Sequence, residues 1–301
     1  MGGPCRLRLD HADENQADTA ISAAVAEVQR LEQKYSRYLP TSLTSTINNR
    51  AGTHTATDID AETAGLLNYA STLYEQSDGL FDLSSGCLRQ AWDFKNSVLP
   101  DQEQLDKLLL HIGWDRVQWN ASSIYLPDAG MEIDFGGCVK EYASDSAANI
   151  MRQAGIEHAL VDLAGDIATL GNQANGQPWQ VGIRHPRRPI VHNRDHAIAQ
   201  VPLSAAALAS SGDYERCILI DDQRYGHILN PQTGWPVQGL VAVSIVAEQC
   251  LVAGSTATIA MLKPAEEALH WLAELGLPWL GIDAELQCHG TLSSTKAKTT
   301  D

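Results

Sequence analysis

Three short segments of the chain combine residue types that can do chemistry. The first is Asp134-Phe135-Gly136-Gly137-Cys138-Val139-Lys140-Glu141-Tyr142. A carboxylate at an expected strand end, two glycines and then a helix start would leave backbone N–H groups free where a ligand can come close. Lys140, one turn into that helix, could reach back toward a phosphate or a ribose. The plainer alternative is a strand–helix turn with a capping Asp. The second segment, Ser210-Ser211-Gly212-Asp213-Tyr214-Glu215-Arg216, places small residues and a dense polar cluster just before an apolar strand. It reads as a tight turn beside a pocket or as a salt-bridged hairpin end. The third is His227-Ile228-Leu229-Asn230-Pro231-Gln232-Thr233-Gly234-Trp235-Pro236, where Asn-Pro and Thr-Gly are turn chemistry. An imidazole just before such a turn could accept a proton near neutral pH, or it could be structural.

The generic fingerprints are missing: no GxGxxG, no GxxxxGK[ST], no HExxH and no GxSxG. The 301 residues carry a formal net charge of −16, with a pI near 4.9. That balance argues against nucleic acid as the main partner, since phosphate backbones are held by clustered Lys and Arg. The one basic patch, Arg184-His185-Pro186-Arg187-Arg188, reads as a solvated loop. No apolar run is long enough to span a bilayer, and the start has no leader pattern. The chain as written is therefore expected to be cytoplasmic, or periplasmic if it begins after a removed leader. Six cysteines lie far apart without a CxxC pair, so neither a disulfide framework nor a zinc site is expected. Each thiol is read as a small buried hydrophobe.

The elements that must carry these segments follow from periodicity. Helical spacing is found from Ala17 to Tyr35, from Ala61 to Glu75 with Asp60 as its cap, and from Gln102 to His111. Ser36–Asp58 reads as loop. Strands are expected at Cys5–Leu9, Arg116–Trp119, Ser123–Leu126, in a segment ending at Asp134, and at His158–Leu163. Further strands are expected at Trp179–Ile183, Ile198–Leu203, Arg216–Ile220 and Val241–Ala247, with a short pair at the end. Helices are expected over Cys138–Arg152, Ala253–Leu262 and Ala265–Leu275. The elements mix without regular alternation, which predicts an α+β fold of mixed sheets flanked by helices. No linker divides the chain, so one domain is expected over 1–292 with a small polar tail, 293–301, that frays.

Taken together and in order, the segments resemble the FAD:protein FMN transferases, the ApbE-type flavin transferases. That family is expected to show DxGGxxKGYAxD, LxxLGGDI, SxSGxYxR and HIxDPxTGxP. Here they stand as Asp134–Asp145, Val161–Ile167, Ser210–Arg216 and His227–Pro236. Met1-Gly2 matches the family start, Ser36-Arg37-Tyr38 precedes Asn48, and Asp78-Gly79-Leu80-Phe81-Asp82 is similar to DGxFD. The resemblance implies FAD as substrate, with Mg²⁺. The FMN half would pass to a Thr or Ser hydroxyl of an acceptor flavoprotein, with release of AMP. It implies flavin-site roles for Met1, Tyr38, Leu80, Phe81, Asp82, Asp134, Lys140, Arg216 and Leu229, all around an FAD cleft. His227 would be the base that deprotonates the acceptor hydroxyl.

The departures from the pattern bear on the metal. Where the family carries a metal-binding Asp with a Thr four residues later, this chain has Gly254 and Thr258. Ala257 stands where some members have a second Asp, and Asn230 replaces the Asp of HIxDP. Mg²⁺ relies on one or two carboxylates plus substrate phosphates. The remaining candidates are the Gly137 carbonyl, the Thr258 hydroxyl, a rearranged Asp166, Ser255 or Thr256, and the FAD diphosphate. Three readings stay open: a transferase with a rebuilt metal site, an FAD pyrophosphatase giving FMN and AMP, and a flavin-binding protein without turnover.

Overall fold

The computed structural model describes residues 3–187, 197–214, 217–221 and 223–293. The expectations placed on Met1, Arg188, Arg216 and the polar tail beyond Ser293 lie outside the described residues. In chain order the elements begin with β1 (Cys5–Leu9), α1 (Glu14–Tyr35), α2 (Leu43–Asn49), β2 (Thr57–Asp58), α3 (Ala61–Gln76) and α4 (Gln102–Leu109). Next come β3 (Gln118–Trp119), β4 (Ser123–Tyr125), α5 (Val139–Gln153), β5 (Ala159–Leu163), β6 (Asp166–Leu170), β7 (Trp179–Arg184) and β8 (Ala197–Leu203). The remainder is β9 (Ala207–Gly212), β10 (Cys217–Ile220), β11 (Gln223–Gly226), β12 (Ala242–Ala247), α6 (Cys250–Leu262), α7 (Ala265–Glu274), β13 (Trp279–Ile282) and β14 (Cys288–His289). The α+β class is as expected. Every strand ladder among the described residues is antiparallel.

These elements form two compact units. The first gathers Met1–Leu31, Cys138–Tyr214 and Gly239–Asp301, and the second gathers Glu32–Gly137 and Glu215–Gln238. The first unit is built on a seven-stranded sheet in the order β1-β5-β6-β9-β12-β13-β14. Residues opposite one another in an antiparallel ladder share a face. Leu208, Ala242 and Ile167 lie on one face with the β7–β8 hairpin, in a core with Trp179, Val181, Ile183, Val201 and Leu203. The other face carries α5 and α6. In that layer Ala253, Ala257, Ala260, Ala143 and Ala147 are buried. These small side chains let helix backbones lie close to the sheet and to each other.

In the second unit α3 is capped as expected: Asp60 Oδ1 accepts from the Thr63 N–H at 3.0 Å and from its hydroxyl at 2.7 Å. Asp101 caps α4 the same way, accepting from Gln104 N at 2.7 Å. A core of Cys87, Leu88, Trp92, Leu105, Leu108 and Ile218 is joined by Phe94, Tyr225, Leu229 and Trp235. The Trp92 ring meets Trp235 edge-on at 5.4 Å and stacks on Phe94 at 5.6 Å.

Four expectations need correction. Ser36–Asp58 is not all loop, because α2 lies within it, capped by Ser42, with Thr44 and Ile47 turned inward. The segment ending at Asp134 is not a strand; Asn48 holds it instead, accepting from Ile133 N at 2.8 Å and donating to Ile133 O at 3.0 Å. The basic patch is not a solvated loop: Arg184 ends β7 and faces the Tyr214 ring at 5.1 Å, and Arg187 forms paired bonds with Asp213 at 2.6 and 2.8 Å. Cys87, Cys138 and Cys250 are buried as expected, whereas Cys5 and Cys288 are exposed and Cys217 is half-buried.

Candidate functional site

Within the second unit, the turn after α3 positions Leu80, Phe81 and Asp82. Asp78 and Gly79 both adopt positive φ, 54° and 80°, which reverses the chain. Ser77, at the helix C-cap, accepts from Phe81 N at 2.8 Å and fixes the ring's approach. Phe81 is buried, and a Cβ at Gly137 would lie 3.2 Å from its ring, so a side chain at the second glycine of Gly136-Gly137 would press on that ring. Asp82 accepts from the Ser84 N–H and hydroxyl, each at 2.6 Å, and from Trp114 N at 3.4 Å. Burial nonetheless pushes its carboxyl above the ordinary range, outweighing those bonds.

Asp134 is held twice. Its Oδ1 accepts from Gly136 N at 3.0 Å and its Oδ2 meets Arg37 at 2.9 Å. Arg37 also lies over the Tyr38 ring at 5.4 Å, and Tyr38 itself is 69% exposed. The capping alternative for Asp134 is therefore true as local structure: it closes the Gly-Gly turn. A carboxylate already neutralised by Arg37 is also a directed acceptor for a polar ligand edge.

His227 is exposed and stands just before a closed turn. Leu229 bridges to Pro236, Asn230 N donates to Trp235 O at 2.8 Å, and Val237 N donates to Ile228 O at 3.0 Å. Asn230 Oδ1 accepts from Gln232 N at 2.8 Å, an Asx turn that an amide oxygen makes as well as a carboxylate does. The departure from Asp at this position therefore leaves the turn intact. Gly234 sits at φ 72°, and Trp92 Nε1 donates to its carbonyl at 2.8 Å, which ties the turn to the aromatic core.

Within the first unit, Lys140 pairs with Asp166 Oδ2 at 2.7 Å. Asp166 opens β6 on the helix-bearing face and is 1% exposed. The β5–β6 turn before it needs positive φ at Ala164 and Gly165, 56° and 97°. Ser211 and Ser210 prove to be the end of β9 rather than a tight turn. The Ser211 hydroxyl meets Thr258 Oγ1 of α6 at 2.9 Å, and Ser210 meets Ser244 across the sheet at 2.7 Å. Asp145, on α5, accepts from both Cys250 N and Leu251 N, at 2.8 and 2.9 Å, and so caps α6 from a neighbouring helix.

Two polar residues to which sequence reasoning gave no role now stand out. Asn48 fixes the backbone just before Asp134 through both of its amide atoms. Glu141 is 6% exposed beside Gly254: a Cβ there would come 2.4 Å from Glu141 Cγ and 2.9 Å from its Oε1. Burial first, then the charge of Asp166, pushes the Glu141 carboxyl well above its usual range. In sequence it is one more acidic residue beside a lysine, and only the packing of α5 on α6 reveals it. An open groove of the first unit lined by Arg8, Asp10, His11, His158 and Asn175 includes none of the motif residues.

Comparison with known proteins accounts for the ordered motifs. A family profile described as ApbE family matches residues 1–280. The FAD:protein FMN transferase of Treponema pallidum (strain Nichols) is 27% identical, over 94% of this chain and 81% of that protein. The one from Salmonella typhimurium (strain LT2) is 29% identical, over 78% of this chain and 69% of that protein. The crystal structure of the ApbE protein from Thermotoga maritima MSB8 superposes with a TM-score of 0.84 at 28% identity, covering 95% of this chain and 93% of that one. With a match that runs through every motif segment on a shared fold, this chain belongs to the ApbE family.

Proposed function

We propose that the protein is an FAD:protein FMN transferase. The acceptor would be a flavoprotein carrying a Thr or Ser at its flavinylation position, with FAD as the flavin donor. The single observation that carries this reading is the family match over residues 1–280, to which the FAD:protein FMN transferases of Treponema pallidum and Salmonella typhimurium add their activity. In the reaction the acceptor hydroxyl oxygen attacks the FMN-side phosphorus. The bond from that phosphorus to the bridging oxygen breaks, and AMP leaves with the oxygen. His227 takes the hydroxyl proton, because an alcohol is a weak nucleophile until a base stands within reach. Asp134, fixed by Arg37, and the segment Leu80-Phe81-Asp82 bind and orient the flavin, with Tyr38, Leu229, Met1 and Arg216 contributing. Lys140, paired with Asp166, faces the diphosphate.

A divalent cation, Mg²⁺ by the chemistry of a diphosphate substrate, supplies neutralisation of the charge that develops on the leaving AMP oxygen. The residues present fit a hard cation. Within the first unit Thr258 offers a hydroxyl, and Glu141 and Asp166 are buried carboxylates; the Gly137 carbonyl, which the resemblance also names, belongs to the second unit. Among the described residues no three His, Cys, Asp or Glu side chains converge as a cage.

The test is incubation of the purified chain with FAD, with and without Mg²⁺, and with an acceptor domain carrying a flavinylation Thr. AMP appearing with flavin fixed covalently to the acceptor is the expected result. AMP with free FMN only would make the protein a pyrophosphatase, and bound FAD with no AMP would make it a flavin-binding protein. His227→Ala is expected to lower the transfer rate by roughly 10²–10⁴-fold while leaving FAD binding in place.

A further inference from the structure

Glu141 and Gly254 form a complementary pair of departures. Glu141 stands where the DxGGxxKGYAxD pattern has its third glycine, and Gly254 stands where that pattern's family carries an aspartate. The structure shows that the two departures occupy one place. A Cβ built on Gly254 would lie 2.4 Å from Glu141 Cγ, 2.9 Å from Oε1 and 3.0 Å from Cδ. The space at the root of a side chain on α6 is thus filled by a carboxylate arriving from α5. Thr258 lies one turn along the same face of α6 from Gly254.

A second observation points to a ligand. Glu141 is 6% exposed, and its Oε2 has no hydrogen-bond partner. A buried carboxylate oxygen without a partner is costly, so its retention calls for a function. Of the nearby charges, Lys140 attracts it, and Asp166 and Asp145 repel it. Asp166 is buried and takes Lys140 as its ion-pair partner, and Asp145 is occupied by two N–H groups of α6. A divalent cation on Glu141 would satisfy the orphaned oxygen.

We propose that Glu141 supplies the carboxylate that position 254 lacks, so that a divalent cation is held by Glu141 and Thr258 with Asp166 nearby. The carboxylate has moved from α6 to α5 while its functional end keeps its place. This rests on the transferase reading for the role of the ion, but the exchange itself is a statement about metal binding. It also changes the meaning of Gly254→Asp. Alone, that substitution restores nothing, because the new Cβ collides with Glu141 and brings a second acid against the first.

The experiment is Mn²⁺ uptake by the full chain, followed by the loss of free-ion EPR signal, without FAD and with FAD. The variants are Glu141→Gln, Gly254→Asp and the double exchange Glu141→Gly with Gly254→Asp, each with its melting temperature recorded. Wild type is expected to take up Mn²⁺, and Glu141→Gln to bind at least about tenfold more weakly, as lost metal-site partners commonly do. Gly254→Asp alone is expected to melt lower without tighter binding, and the double exchange to recover affinity. Equal affinity in wild type and Glu141→Gln would overturn the proposal, as would a wild type that takes up no Mn²⁺ at millimolar concentration in either condition. A double exchange that folds at the wild-type temperature yet stays weak would overturn it too. An inert protein whose Mn²⁺ uptake depends on Glu141 would refute the transferase reading alone. An active protein whose metal affinity ignores Glu141 would refute this one alone.

Discussion

Among single residues, the carboxylates divide into those that local bonds satisfy and those that they do not. Asp145 is satisfied by two backbone donors of α6, to which the helix's own N-cap residue, Gln249, offers no side-chain acceptor. Asp145→Ala would take this acceptor away from both N–H groups at the start of α6, and is expected to destabilise the protein by about 1–3 kcal/mol in chemical denaturation. Gly254→Asp is expected to cost a similar amount, about 1–3 kcal/mol, because the new side chain overpacks the contact between α5 and α6. The motifs themselves were legible at this scale: Asp134, Asp82, Lys140 and His227 each stand within a multi-residue pattern of the sequence. What the pattern could not reveal was pairing across distance. Glu141 was one acidic residue within the Asp134–Tyr142 segment, and Asn230 stood as a lost carboxylate although it keeps its turn. Adjacency between α5 and α6 is a tertiary fact, and one sequence without a fold does not hold it.

Elements were legible where one face is buried and the other is not. Helices α1, α3 and α4 show apolar spacing behind a capping Asp or an acidic first turn, and all three formed within a few residues of expectation. Strands β6 and β9 were missed because every residue of β6 is buried and β9 carries small residues, so neither alternates. Helix α2 was missed because only Thr44 and Ile47 turn inward from a run of Ser, Thr and Asn. The N-terminus of α3 gives a test with a sign. Burial pushes Asp60 upward, but hydrogen bonds from Lys34 and Thr63 win and hold its carboxyl below the usual Asp range. The unfolded chain therefore binds that proton more tightly than the folded one. The contribution is complete above the unfolded value, roughly pH 4, and fades as pH falls through the folded value. Asp60→Ala is expected to cost about 1 kcal/mol near neutral pH, with the gap from wild type closing in acid. Thermal melts of the two proteins from neutral pH downward measure it.

For the whole molecule, both units are assembled from segments far apart in sequence, the first from three and the second from two. No linker marked that division because the chain passes between units inside ordered elements and motifs: at Leu31–Glu32 within α1, and at Gly137–Cys138 within the Asp134–Asp145 motif. The edge of the large sheet states the same thing as pairing. Strand β1 closes its whole length on β5, from Cys5 opposite Leu163 to Leu9 opposite Ala159. Closing so long a loop costs on the order of 4 kcal/mol in chain entropy before any contact repays it. That ladder is expected to form late in folding. Leu7→Ala, at a half-buried position of β1, should leave the refolding rate nearly unchanged and speed unfolding, which a stopped-flow chevron would show. On the ribosome the consequence is a waiting period. Strand β1 leaves the exit tunnel well before β5 does, and it stays an unclaimed β-edge until synthesis has passed Leu163, so a nascent chain halted before that point would carry an open template for aggregation.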